Sequence, residues 1–400
     1  MTNADAPFDP LAPLPGPPEP WAYTDRPSLR SGPPYHMTDM ILAEPALAGR
    51  ILARHAATGG PAAAVAEAVR AAAEHGAPIV VTGCGTSEHA AFGVAAILRG
   101  AGRSAGLPSV GAVAAQAFEL QLDPPTSGLV IGISHEGGTG ATNAALAAAR
   151  AAGARTAFVT VSSRSPGALA CDPALVVETG ELDQSWCHTV GYVSPMLAGA
   201  AIGAHLSDLP LDAEGVVELL AAGTRDEAGA DRIAGRLADA SHLLVVASGS
   251  DRTAGRELVL KVEEASWLPS AFRELETFLH GHLPATGPET GLVLILTDRD
   301  GRPERLARAR QALAAARVLG IRSAAILAED LDGAFEPTLT PAGRLLVPDA
   351  SGLPAPVASL FGSATPLQLL TERLARARGT NPDPIRRDDP TWVAAAEAAE

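Results

Sequence analysis

Lysine is all but missing from this chain: of 30 basic side chains in 400 residues, Lys261 alone is a lysine. Codon usage that favours Arg accounts for the bias. It also makes the survivor conspicuous, because a compact ammonium on a flexible stem does chemistry that a guanidinium does not. Aromatic residues are scarce, at 4%, so the cores must be built from Ala, Val and Leu. Cysteine occurs three times, as Cys84, Cys171 and Cys187, with no CxxC pair and no metal-ligand spacing. That excludes a disulfide framework and suits a reducing cytoplasm. No apolar run reaches the roughly 18 residues a membrane helix needs, and no basic segment followed by an apolar stretch opens the chain as a secretory leader would. Positive charge is in deficit, with a formal net charge of −15. This argues against nucleic acid and anionic membranes as partners.

What is present is apolar residues, 47% of the chain, in a length that suits two domains. Residues 1–35 carry many prolines, from Pro7 to Pro20, and read as an extended N-terminal arm. Helical spacing follows over His36 to Ala57 and over 61–75. Strands are then expected at 78–83, 128–134, 155–162 and 174–178, and helices at 88–99, 139–152, 165–170 and 188–206. Short, wholly apolar strands between helices imply a parallel sheet covered on both faces.

After a single long amphipathic helix, expected over roughly 211–238, the plan repeats. Strands are expected from His242, from Leu292, at Ala324 to Ala328 and at Leu345 to Val347. The fold class is therefore α/β, a duplicated βα unit. Its parts are the arm (1–35), a first domain (36–208), a second domain (209–372) and a polar, Pro-rich C-terminal tail (373–400).

Two loops of the first copy could hold a ligand. Val80-Val81-Thr82-Gly83-Cys84-Gly85-Thr86-Ser87 runs from a strand into a helix, and Ile131-Gly132-Ile133-Ser134-His135-Glu136-Gly137-Gly138-Thr139 repeats the layout about fifty residues on. Such turns aim backbone N–H groups and hydroxyls at one point, which suits an anion or a sugar hydroxyl. The second copy has Asp298-Arg299-Asp300-Gly301 in place of the Thr/Ser loop, so ligand chemistry is expected on the first copy. Cys84 in the first loop is read as a small residue that fits a tight turn. Cys187 and His188 are neighbours that point apart on an extended chain, which disfavours a nucleophile–base pair.

Together the two loops resemble the SIS (sugar isomerase) domain, with its G-x-G-T-S and S-x-S-G-x-T patterns, and the chain as a whole resembles the double-SIS family. Met37-Thr38-Asp39-Met40-Ile41-Leu42-Ala43-Glu44-Pro45 is similar to the helix that leads into the first SIS domain of the amidotransferase relatives. Leu260-Lys261-Val262-Glu263-Glu264-Ala265-Ser266, with His280-Gly281 sixteen residues after Glu264, is similar to L-K-x-x-E-I-S…H-G in the isomerase part of glutamine–fructose-6-phosphate amidotransferase.

The resemblance implies that Glu264 moves a proton between C1 and C2 of a sugar, that His280 opens the ring from the neighbouring subunit of a homodimer, and that Lys261 supplies charge near the enediol. An aldose–ketose exchange needs one such base and one acid/base near the ring oxygen, and no metal or cofactor. On residues alone, Lys261 and Glu264 share a helix face and could be an ordinary ion pair. His280 and His282 lack a third ligand nearby for a metal site.

The resemblance also implies that Gly85, Thr86, Ser87, Ser134, His135, Glu136 and Thr139 hold the ligand, with Trp186 and His188 from Gln184-Ser185-Trp186-Cys187-His188-Thr189 beside it. Two positions depart from the pattern. Glu136 stands where the family has Ser, and a carboxylate beside a phosphate costs on the order of several kcal/mol. Either Glu136 turns away, or a protonated His135 pairs with it, or the ligand lacks a phosphate. The relatives' C-terminal Schiff-base lysine is missing, and Arg386 and Arg387 cannot replace it. The likeness covers roughly residues 36 to 385 and includes no glutaminase part.

The expected activity is therefore that of a stand-alone sugar isomerase or deglycase acting on a sugar phosphate or amino-sugar derivative. A lyase or transferase acting on an unphosphorylated substrate, and a sugar-binding regulator without turnover, are the rivals.

Overall fold

A computed structural model describes residues 29–107, 110–177 and 184–399. The arm's proline run, Pro7 to Pro20, lies outside the described residues, as do positions 178–183 between the first sheet and the Trp186 loop. Helices α1 (His36–His55) and α2 (Pro61–Glu74) lead into the first sheet. Its strands are β1 (Ile79–Gly83), β2 (Val113–Gln116), β3 (Leu129–Ile133), β4 (Arg155–Thr160) and β5 (Ala174–Val176). Helices α3 (Thr86–Ser104), α4 (Ala117–Leu122), α5 (Gly140–Ala152) and α6 (Pro166–Ala170) connect them, and α7 (Val190–Ser207) follows. All pairings are parallel, in the order β2-β1-β3-β4-β5.

Helices α8 (Ala213–Ala222) and α9 (Glu227–Leu237) lead into the second sheet: β6 (His242–Ala247), α10 (Asp251–Ser266), β7 (Ser270–Glu274), α11 (Leu275–Thr277), β8 (Thr290–Leu296), α12 (Arg302–Val318), β9 (Arg322–Ala328) and β10 (Gly343–Val347). Its order, β10-β9-β8-β6-β7, is the same topology. Helix α13 (Ala355–Arg378) closes the fold, and the short α14 (Pro390–Glu397) ends it. The duplicated α/β plan read from the sequence is thus the observed one.

Three differences have physical causes. The single helix expected over 211–238 is broken at Gly223, and Asp226 starts a new one by accepting the Gly229 N–H at 2.9 Å. Strands β2 and β7 are two further elements beyond those expected; both are short edge strands without a single fully buried position. Helix α13 was also missed. Nearly all of its residues from Pro356 to Ala375 are buried, Ser359, Ser363, Thr365, Gln368 and Thr371 among them, so tertiary packing and not an amphipathic pattern holds the helix.

The core between the sheets is formed by helices of small residues. Helix α7 is buried on almost every side, as expected of a helix that is apolar all round. It approaches α3 so closely that a Cβ on Gly199 would lie 2.8 Å from Val94 Cγ2. Against α7 and α13, Glu44 of α1 is fully buried, and neither of its carboxyl oxygens has a hydrogen-bond partner. Burial pushes its carboxyl well above the usual range, while nearby Gln368 and Thr189 temper the shift.

The folded state therefore holds the Glu44 proton more tightly than the unfolded chain does. Stability from this residue is complete below the unfolded carboxyl value and falls as pH rises towards the folded one. Glu44→Gln removes that loss, so its unfolding midpoint should gain on wild type as pH rises from about 5 to 8. Parallel urea titrations check this, and a wild-type–variant gap that does not change with pH contradicts it.

Candidate active site

The first sheet changes winding direction between β1 and β3, because β2 lies on one side of β1 and β3 on the other. Loops at the carboxyl ends of strands flanking such a switch diverge and leave a crevice. Gly85 makes the β1 turn possible with φ +54° and ψ −126°, a conformation that side-chain-bearing residues avoid. Helix α3 begins immediately, so Thr86 and Ser87 lie in its first turn, two residues earlier than expected.

In the β3 loop, buried Ser134 accepts the Gly137 N–H at 3.1 Å and lies 2.9 Å from the Thr139 hydroxyl. Ser134 therefore shapes the loop. Thr139 is exposed at the N-terminus of α5, and His135 and Glu136 are half-buried between.

The second sheet has the same crevice between β6 and β8, but internal carboxylates fill it. Asp251 accepts the N–H groups of Thr297 (2.7 Å) and Asp298 (3.0 Å) and the hydroxyl of Ser359 (2.7 Å). Asp298 in turn accepts the Ser250 N–H at 2.7 Å and pairs with Arg305 at 3.3 Å. Donors that could greet a ligand are thus satisfied within the chain. Burial raises the Asp251 carboxyl against four hydrogen bonds that lower it.

The two halves meet in a chain of charged groups on α10. Lys261 is fully buried, and its Nζ lies 2.6 Å from Glu264 Oε2 and 3.7 Å from Glu257 Oε1. Burial alone would lower the ammonium's pKa; the adjoining carboxylates of Glu264 and Glu257 more than offset this and hold it above its ordinary value. Glu257 is buried too. Its Oε2 meets His89 Nδ1 at 2.7 Å, and Thr86 donates to Oε1, the oxygen that faces Lys261, at 3.3 Å.

His89 and Glu257 were not singled out from the sequence. A signal was present, because Glu257, Lys261 and Glu264 fall at i, i+4 and i+7 on one helix face. Glu264 is the most exposed of these groups, with a side chain 21% exposed against 16% for His89, while Glu257 and Lys261 are buried. The site thus joins a β1-loop hydroxyl and histidine to a solvent-facing carboxylate through two buried charges.

Not every expected residue converges here. His280 lies on the surface in an irregular turn where Gly281 has φ +110°. Its side chain is 70% exposed and pairs with Glu276 at 2.7 Å, with no contact to Glu264 inside this chain. Trp186 is buried, with the Arg387 guanidinium 3.9 Å from its ring centre, so one face of the indole is covered from within. His188 is half-buried, 5.5 Å from the His135 ring. Burial pushes the Cys187 thiol well up, against nucleophilic use.

The tail is fixed across this region. Buried Asp383 accepts the His36 and Met37 N–H groups at 2.9 and 3.0 Å, capping α1, and its backbone carbonyl accepts the Trp186 N–H at 2.8 Å. Among the described residues no set of three or more His, Cys, Asp or Glu side chains could hold a metal ion. No helix among them is long and apolar enough to cross a membrane.

Paired parallel sheets of identical topology, with a helix of the second half bearing on the loops of the first, define the double-SIS fold. No protein-family profile matches the sequence, and no curated protein matches it. Solved structures do. The C-terminal domain of glucosamine-fructose-6-phosphate aminotransferase from Francisella tularensis superposes with a TM-score of 0.75 at 16% identity, covering 89% of this chain and 99% of that one. Tagatose-6-phosphate ketose/aldose isomerase from Escherichia coli gives 0.68 at 19% identity, covering 90% and 98%. Glucosamine-6-phosphate deaminase from Thermotoga maritima gives 0.62 at 16%, covering 87% and 97%. At these identities the likeness is one of fold.

Proposed function

We propose that this chain is an enzyme that moves a proton between adjacent carbons of a sugar phosphate or amino-sugar derivative, as an aldose–ketose isomerase or a deglycase. The observation that carries the reading is the Glu264 carboxylate at 2.6 Å from a fully buried ammonium. It opens to solvent on a fold otherwise shared with sugar-phosphate isomerases and a deaminase. Glu264 is the base, Lys261 offsets the negative charge that develops on the enediol oxygens, and Glu257 with His89 holds Lys261 in place.

Thr86, Ser87, Thr139 and the α5 N-terminus, with Gly85, Ser134, His135, Glu136, Trp186 and His188 around them, receive the rest of the sugar. His280 serves the site of a partner subunit in a homodimer, where its exposure here becomes useful. Incubation with fructose 6-phosphate, glucosamine 6-phosphate, 1-amino-1-deoxyfructose 6-phosphate and their dephosphorylated forms, followed by NMR and ammonia release, tests this. Conversion of at least one is expected, and conversion of none contradicts it.

Glu136 favours a second reading of the substrate, in which the phosphate is missing. An acidic side chain in the β3 loop should make dephosphorylated sugars the tighter ligands. Glu136→Ser should reverse that preference by about tenfold or more in Kd. Isothermal titration with each phosphorylated and dephosphorylated pair measures it, and a preference for phosphate already present in wild type removes this reading.

A further inference from the structure

An aldose–ketose exchange moves two protons, and Glu264 accounts for the one on carbon. The carbonyl oxygen also gains a proton, and the hydroxyl oxygen on the neighbouring carbon loses one. That transfer needs a group that both gives and takes a proton near neutral pH. Lys261 is unsuited: burial disfavours its ammonium, but Glu264 and Glu257 more than reverse this, so the proton is held. Cys187 and Tyr192 lie near the same charges, and burial pushes both well above their ordinary values.

His89 is built differently. Its Nδ1 lies 2.7 Å from Glu257 Oε2, and Glu257 is fully buried. An ionised carboxylate only accepts hydrogen bonds, so Nδ1 carries a proton and Nε2 becomes the exchangeable position. The ring makes no other hydrogen bond among the described residues, and its side chain is 16% exposed. Nε2, on the other side of the ring, points away from Glu257.

Its place in the fold is at the ligand loop. His89 stands one turn after Thr86 on α3, and both side chains meet Glu257. The β1 turn closes on α10 at Leu260, where a Cβ on Gly85 would lie 4.0 Å from Leu260 Cδ2. Glu264 follows four positions later on the same helix face. Only Lys261 Nζ and the Glu257 carboxyl group stand between the imidazole and Glu264 in this chain of contacts. Charge agrees, because Glu257 and Glu264 oppose a single ammonium, and an imidazolium at His89 makes the set neutral.

We propose that His89 is a second acid–base residue of the site, whose Nε2 carries the proton between the two oxygens of the enediol. From a ketose, Glu264 takes the proton on C1, the C1–H electron pair becomes the C1=C2 bond, and O2 takes the Nε2 proton. The O1 hydroxyl then returns a proton to Nε2 as C1=O forms, and the C1=C2 pair takes the Glu264 proton at C2. Both side chains end as they began. The inference rests on the proposed reaction, and its test separates the two.

His89→Asn keeps an N–H donor for Glu257 in place of Nδ1 and has nothing at Nε2. Its conversion of sugars should fall about 10²–10⁴-fold, while deuterium from D2O still enters C1 of the ketose, because Glu264 and Lys261 remain. Equal loss of exchange and conversion would mean that His89 only holds Glu257 and Lys261 in place. That result, or conversion near the wild-type rate, overturns the proposal with the reaction intact. Wild type that neither converts nor exchanges any sugar removes the reaction, and this role with it.

A second measurement does not depend on the variant folding. Arabinonohydroxamate, with and without a 5-phosphate, mimics the enediolate. Its binding should shift the His89 Nε2 signal in NMR spectra of the wild-type protein labelled with 15N-histidine. A bound mimic that leaves this signal in place overturns the proposal.

Discussion

Lys261→Met should cost the fold about 3–5 kcal/mol, the usual penalty for leaving a buried carboxylate without its counter-charge. Glu257 bears that penalty, because it is as deeply buried as Lys261 and keeps only its contacts with His89 and Thr86, whereas Glu264 can turn to solvent. Loss of a lysine stem alone would cost less, because Met fills much of the same volume. The double variant Lys261→Met/Glu257→Gln should therefore recover a large part of the loss, since both charges leave together. Urea midpoints of wild type, single and double variants measure this. A double variant no more stable than the single one would mean that packing, and not charge, makes Lys261 matter.

The second large effect is on turnover. Glu264→Gln should reduce kcat by about 10²–10⁴, the range that a positioned general base supplies. The fold should hardly notice, because Glu257 still faces the Lys261 ammonium. His280→Ala should also lose activity, although His280 touches nothing of the site within its own chain. Mixing the two inactive variants then becomes informative. Recovery of activity is expected if one subunit supplies Glu264 and its partner His280, and no recovery would place both roles in a single chain or remove His280 from the reaction.

Much of this arrangement was legible because short-range rules governed it. Central strands such as β3 and β8 read as apolar runs because both of their faces are covered. The Lys261–Glu264 pair read from helical spacing. Interactions between distant segments were hidden. Nothing local ties His89 to Glu257, 168 positions away, or Asp383 to the start of α1, 346 and 347 positions away. The same holds for Asp251, whose place at the start of a helix gives no hint that Thr297 and Ser359 will enclose it. Helix α13 was obscured because it is buried on nearly every side, polar residues included, and so carries no amphipathic pattern.

Proton transfer at Glu264 is the step from which every proposed role of the site follows. Deuterium wash-in by NMR in D2O, over the same set of phosphorylated and free sugars and amino sugars, reads that step directly, whether or not net conversion occurs. Deuterium is predicted at C1 or C2 of at least one sugar with wild type and at neither carbon with Glu264→Gln. Exchange that survives in Glu264→Gln, or no exchange with any sugar of the set, would contradict it.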